Sequence, residues 1–301
     1  MSESKKGCVY INGEYFSLEE AKISVFDRAF WGINVYDGLG LYKGYVFKVK
    51  PHIDRFFQSL KTAMIPPRLS KDELKEVMFE TVRRSGFKDL AFILTIGTGG
   101  TPPPGYLEAS TEPTLIVSVF EDKPRPYHLS PEKILRDGIR VRISSIRNIP
   151  QQCIDLKIKQ FNRLHHYLAQ QETKAAGADD TILLDIYGNV SEGTYANVWI
   201  AKDGSLYTPG PGGLLHGITR ATIFEIAHKE GIAASEIIMS PYDLYNADEV
   251  FFSSTAGGTI PIVEVDGRTV GDGVPGPLSK RMLDIWEQMH TDPKYATLVV
   301  K

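Results

Sequence analysis

Cysteine is nearly absent from this 301-residue chain: Cys8 and Cys153 are its only two. They exclude a disulfide framework, and their wide separation matches no metal-ligand spacing. They read as small buried hydrophobes and suit a reducing compartment. Long apolar runs are missing as well. The most apolar stretch, Leu90 to Ile96, is far too short to span a bilayer. The opening residues, Met1-Ser-Glu-Ser-Lys-Lys, hold no apolar secretory segment, so the expected location is the cytoplasm. Basic tracts are absent and the net charge is −3, which leaves nucleic-acid binding without an electrostatic footprint. No internal repeat or low-complexity segment occurs. What remains is a chain 42% hydrophobic, enough for one large core or two modest ones.

The pattern along the chain mixes strands and helices. Asn12-Gly13 and Lys43-Gly44 each separate two short β-rich runs, the signal of a tight hairpin. Ile53, Phe56, Phe57, Leu60 and Met64 recur at helical spacing over 51–64. Ser70-Lys-Asp-Glu73 is a capping box that opens a helix ending near Gly86. Runs at 92–96 and 115–120 read as strands. The polar, proline-interrupted stretch Glu121-Asp-Lys-Pro-Arg-Pro126 reads as a linker. Beyond it, strands at 141–146, 181–185, 196–201, 249–253 and 259–265 interleave with helices at 160–176, 219–230 and 278–290. The expected division is a small domain over 1–122, a linker over 123–133 and a larger domain over 134–301. The expected class is α+β.

Several segments carry chemistry. Asp155-Leu-Lys157-Ile-Lys159-Gln-Phe-Asn162-Arg163-Leu places a lysine just before a long amphipathic helix. A lysine attacks a carbonyl only as the free amine, so it needs apolar or cationic surroundings. Ile158 and Phe161 supply the first. Lys157 competes with Lys159 for this role. Gly188-Asn189 makes a tight turn that delivers Glu192 onto the next strand. A lysine in a pocket, with a carboxylate arriving from the following hairpin, is what a Schiff-base cofactor needs. Gly217-Ile218-Thr219-Arg220 opens a helix whose first amides form an anion site, with a hydroxyl from Thr219. Ser254-Thr255 end a strand, and the small Ala256-Gly257-Gly258 let a ligand reach the backbone amides. The loop from Gly97 to Gly105 lacks the Gly-Lys-Ser/Thr ending of a Walker loop. His165 and His166 point to different helix faces without a carboxylate at ligand spacing, so no metal site is expected.

Lys159, the word Glu192-Gly-Thr-Tyr-Ala-Asn197, Gly217-Ile-Thr-Arg220 and Ser254-Thr-Ala-Gly257 together resemble the class IV (fold type IV) pyridoxal-phosphate aminotransferases. The resemblance runs from Val9 to Tyr295. It implies a small α+β N-terminal domain, a larger pseudo-barrel C-terminal domain, and pyridoxal 5'-phosphate held between them in a homodimer. It implies Lys159, rather than Lys157, as the Schiff-base lysine and general base, with Glu192 on the cofactor's ring nitrogen. Arg55, Asn197, Gly217, Ile218, Thr219, Ser254 and Thr255 would complete the cofactor site. Tyr36 and Gly38 would shape the substrate side-chain pocket, and Ala256 and Gly257 would meet the substrate carboxylate. The implied reaction is ping-pong transamination between a branched-chain-like amino acid and a 2-oxo acid. An (R)-selective amine or D-amino-acid transaminase, and a lyase similar to aminodeoxychorismate lyase, are the alternatives. A non-catalytic binder on the same scaffold is the other class of reading. Three positions depart from the family's patterns: Gly40 and Ile96 stand where arginines occur, and Arg163 stands where a tyrosine occurs.

Overall fold

The computed structural model describes residues 6–105, 111–122, 129–210 and 212–301. The chain forms two compact units. The first gathers Met1–Lys123, Ile158–Asn162 and Met289–Lys301; the second gathers Pro124–Lys157 and Arg163–Gln288. The expected domains are contiguous in sequence. The structure instead returns two later stretches, 158–162 and 289–301, to the first unit. The linker expected over 123–133 lies partly outside the described residues.

In the first unit, β1 (Cys8–Ile11) and β2 (Glu14–Phe16) form a hairpin. Its turn puts both Asn12 (φ 49°) and Gly13 (φ 114°) at positive φ, as a type I′ turn requires. There follow β3 (Asn34–Tyr42), β4 (Tyr45–Phe47), α1 (Val49–Thr62), α2 (Lys71–Ser85), β5 (Ala91–Thr98) and β6 (Thr114–Glu121). With the C-terminal strand Ala296–Leu298 at one edge, these make a seven-stranded antiparallel sheet. Its order is Ala296–Leu298, β4, β3, β5, β6, β1, β2. Alternate residues Val35, Leu39 and Leu41 of β3, Ile93 of β5 and Val117 and Val119 of β6 are buried in one core. Ile53, Phe56 and Leu60 of α1 and Leu74, Met78 and Val82 of α2 belong to the same core. The helices therefore cover one face, as the two-residue period of the strands demands.

The second unit runs α3 (Pro131–Asp137), β7 (Ile139–Arg147), α4 (Leu164–Ala175), β8 (Asp180–Leu184), β9 (Val190–Gly193), β10 (Asn197–Lys202) and β11 (Ser205–Pro209). It continues with α5 (Ile218–Lys229), β12 (Ala234–Ile237), α6 (Pro241–Tyr245), β13 (Glu249–Ser254), β14 (Gly258–Val265), β15 (Arg268–Thr269) and α7 (Pro277–Gln288). The sheet order is β12, β11, β10, β13, β14, β7, β8, β9, with β15 on β14. Its pairs β7–β8, β7–β14 and β11–β12 are parallel. β9 ends the order, yet Gly193 N–H donates to Ala196 O at 2.8 Å beside β10. The sheet thus curls back on itself, which gives the α+β pseudo-barrel form.

The helix expected from Gln160 begins only at Leu164. Residues 159–162 spend their backbone groups elsewhere. Lys159 O accepts from Tyr36 N–H at 2.8 Å, and Phe161 N–H donates to Asn34 Oδ1 at 2.9 Å. Those bonds satisfy groups that a helix would otherwise have to satisfy. Among the described residues, no helix is long and apolar enough to cross a membrane.

Candidate active site

Lys159 lies in the first unit, with both of its backbone polar groups held. Its N–H donates to Ser59 Oγ of α1 at 3.2 Å, and its carbonyl accepts from Tyr36 in β3. Its Nζ lies 4.6 Å from the Tyr36 ring centroid. Phe161 also meets that ring, stacking on Tyr36 at 4.0 Å and 8°. Lys157 is different: it pairs with Asp155 at 3.2 Å and is half-exposed.

Side chains alternate along β3. Asp37 points toward α1 and is buried, with its carboxylate taken by two partners. Arg55 donates through Nε and Nη2 at 2.8 Å each, a bidentate fork. His52 Nδ1 lies 2.7 Å from Asp37 Oδ1. Burial raises the Asp37 pKa, but Arg55 and His52 more than offset it and hold the carboxyl well below the usual range. Burial drives the His52 pKa down, against the pull of Asp37 and with help from Arg55 and Lys159. Two nitrogens of Arg55 are thus committed to Asp37. On the other side of β3, a Cβ on Gly38 would meet the Phe92 ring at 2.2 Å. One on Gly40 would meet the Tyr42 ring at 2.3 Å, so Tyr42 fills the space where a side chain at 40 would begin. Ile96 stands directly across from Tyr36 in the β3–β5 register.

The second unit gathers the remaining candidates. Glu192 is 4% exposed on β9. Its Oε2 accepts from Leu215 N–H at 3.0 Å and its Oε1 from Asn148 Nδ2 at 3.4 Å. Asn197 starts β10 opposite Ser253 of β13, and its Nδ2 donates to Leu215 O at 2.8 Å. Glu192 and Asn197 therefore grip the two backbone polar groups of one residue, Leu215. Gly217 follows as the N-cap of α5, with no side chain capping the helix. A Cβ on Gly217 would lie 2.1 Å from Asn197 Oδ1, so only glycine fits. Ile218 and the buried Thr219 form the first turn. Ser254 closes β13, and Thr255, Ala256 and Gly257 form the half-buried turn to β14. Arg163, which precedes α4, donates through Nη1 to Thr194 O at 3.0 Å, two residues beyond Glu192. His166 Nδ1 reaches the same carbonyl at 2.7 Å, and His165 Nε2 lies 3.1 Å from Asn148 Oδ1.

Sequence reasoning missed Asp37, His52, Ser59 and Asn148. For two of them a signal existed. His52, Arg55 and Ser59 recur at i, i+3 and i+7 among the apolar residues of α1, so polar groups occupy its buried face. Asp37 and Asn148 carry no comparable local mark.

A family model described as class IV amino-transferase matches residues 34–265. The chain is 35% identical to a putative branched-chain-amino-acid aminotransferase of Methanocaldococcus jannaschii, over 94% of this chain and 96% of that protein. It is 34% identical to the branched-chain-amino-acid aminotransferase of Escherichia coli K12, over 94% and 92%. The crystal structure of the Escherichia coli branched-chain amino acid aminotransferase is similar, with TM-score 0.90 and 30% identity, covering 98% of this chain and all of the other. A crystal structure of another branched-chain amino acid aminotransferase, with pyridoxamine 5'-phosphate, is similar at the same TM-score, 0.90, and the same identity, 30%. That likeness covers 99% of this chain and all of the other.

Proposed function

Because the chain belongs to the class IV aminotransferases, we propose that it transfers an amino group from a branched-chain-like amino acid to a 2-oxo acid, working as a homodimer with Lys159 as its base. The cofactor is pyridoxal 5'-phosphate. The donor set of the chain fits that group. A buried carboxylate, Glu192, suits a ring N–H, and the uncapped start of α5 beside Gly217 suits a phosphate. When bound, the cofactor supplies an electron sink for the charge left at the substrate's Cα.

The chain's own residues do the rest. Lys159 Nζ would hold the cofactor, and as a free amine it would take the proton from the substrate's Cα and carry it for the second half of the reaction. Glu192 accepts the hydrogen bond of the ring nitrogen. The amides of Ile218 and Thr219, the hydroxyls of Thr219, Ser254 and Thr255, and the Arg55 guanidinium bind the phosphate. Asn197 holds the Leu215–Gly217 segment in place for that contact. Amides around Ala256 and Gly257 take the substrate carboxylate, and Tyr36 and Gly38 bound its side chain.

The observation that carries this reading is the double anchoring of Lys159. Its backbone is fixed by Ser59 and Tyr36 while its amine lies over the Tyr36 ring. Branched-chain donors are favoured by the names of relatives that span the chain. A donor panel tests the reading. L-leucine, L-valine, D-alanine and (R)-1-phenylethylamine are each assayed with 2-oxoglutarate and pyruvate. L-leucine and L-valine should lead, and Lys159→Ala should abolish turnover. Preference for D-alanine or the amine would replace the branched-chain assignment, and sustained product release, beyond one equivalent, that needs no 2-oxo acid would replace transamination with a lyase reaction.

A further inference from the structure

We infer that Asn148, held in one orientation by His165, is a positioning residue that aims Glu192 at the cofactor's ring nitrogen. The inference rests on the reading of Glu192 given above.

Asn148 is 2% exposed and immediately follows β7. Three oxygens surround its amide nitrogen: Ser191 Oγ at 2.9 Å, Glu192 Oε1 at 3.4 Å and Gly213 O at 3.4 Å. Ser191 Oγ spends its own hydrogen on Gly213 O at 2.5 Å, so it too accepts from Asn148. A carboxylate and a carbonyl offer only lone pairs, so the amide nitrogen must face this group. Its oxygen then faces the other way, where Ile149 N–H donates at 3.0 Å and His165 Nε2 lies at 3.1 Å. An amide oxygen only accepts, so His165 carries its ring proton on Nε2. Burial, and after it the Arg163 charge, push the His165 pKa down to about 4. The ring is therefore neutral at pH 7, and its single N–H is the one spent on Asn148. Turning the amide over would set its oxygen against Glu192 and its nitrogen against two donors. His165 thus fixes the amide, and the amide fixes one carboxylate oxygen while Leu215 N–H fixes the other. A helix residue that contacts no ligand in this scheme governs the direction of the carboxylate that does.

The test uses the full-length apo-protein titrated with pyridoxal 5'-phosphate and with its 1-deaza analogue. In the analogue a C–H replaces the ring nitrogen, so Glu192 has nothing to bind. Asn148→Asp and His165→Leu should each weaken pyridoxal-phosphate binding about tenfold while leaving the analogue unchanged. His165→Gln, which restores an N–H, should recover most of the loss. Equal weakening of both ligands would reduce the pair to a structural role, and no weakening of either would overturn the inference. Glu192→Gln separates the two levels. If it too leaves the preference for pyridoxal phosphate over the analogue intact, the assignment of Glu192 itself fails. If it alone removes the preference, only the roles of Asn148 and His165 fail.

Discussion

Replacing Gly217 by alanine puts a methyl carbon 2.1 Å from Asn197 Oδ1, far inside van der Waals contact. The oxygen ends a side chain, and an exposed asparagine would swing aside at little cost. Asn197 is 5% exposed and its amide nitrogen holds Leu215 O at 2.8 Å, so it has nowhere to go without losing that bond. Overpacking of a tight site costs about 1–3 kcal/mol. Loss of a buried hydrogen bond adds about 1 kcal/mol. The single variant should therefore be destabilised by about 2–4 kcal/mol. Because Leu215 N–H also serves Glu192, cofactor affinity should fall with it. A double-mutant cycle isolates the cause. Asn197→Ala costs its hydrogen bond to Leu215 but vacates the space. Gly217→Ala added on that background should then cost less than about 1 kcal/mol. The measurement is denaturant unfolding of the four apo-proteins, with cofactor titration alongside. If the two substitutions add without coupling, the clash is not what makes Gly217 necessary.

Other consequences can be checked on the same protein. Ser59→Ala removes the hydroxyl that accepts from Lys159 N–H, so kcat should drop several-fold while overall stability falls by about 1 kcal/mol. Asp37→Asn leaves the Arg55 charge without its buried counter-ion and should cost about 3 kcal/mol in unfolding experiments. His290, buried and stacked on Tyr42, has its pKa pushed down to about 3 by burial and then by Lys43. The unfolded chain takes up that proton near the ordinary histidine value of about 6.5. Stability from this residue is thus complete above about pH 6.5 and drains away as pH falls toward the folded value. Between pH 7 and pH 5 it amounts to about 2 kcal/mol. His290→Gln should lose less stability over that interval by about this amount, read from unfolding curves at the two pH values.

Local chemistry in the sequence is enough for elements whose partners are close by. The Asn12-Gly13 hairpin and the Ser70–Glu73 capping box, with Glu73 Oε2 accepting from Ser70 N–H at 2.7 Å, depend on neighbours a few residues away. The helix expected from Gln160 starts later because the residues before it bond to Asn34 and Tyr36, more than a hundred positions earlier. β12 escapes a sequence reading for the same reason: it is short, and it becomes a strand by pairing with β11 across the whole of α5. β11 instead pairs with β10 across Asp203-Gly204, a local hairpin signal that sequence reasoning missed. In the candidate site, Lys159 and Glu192 stand out by motif, but what surrounds them does not. Asn148 meets residues 165, 191, 192 and 213, and nothing in its own neighbourhood announces them. The departures at 40 and 163 acquire physical content only in three dimensions. Tyr42 covers Gly40, and Arg163 is bonded to the Glu192 hairpin.

The central claim is that Lys159 drives transamination of a branched-chain amino acid, and its first half-reaction needs no acceptor. Mixing the pyridoxal-phosphate-loaded protein with L-leucine alone should release one equivalent of the corresponding 2-oxo acid per protomer and then stop. Lys159→Ala should release none. Continued release without an acceptor, or release from Lys159→Ala at the unsubstituted rate, would contradict the account.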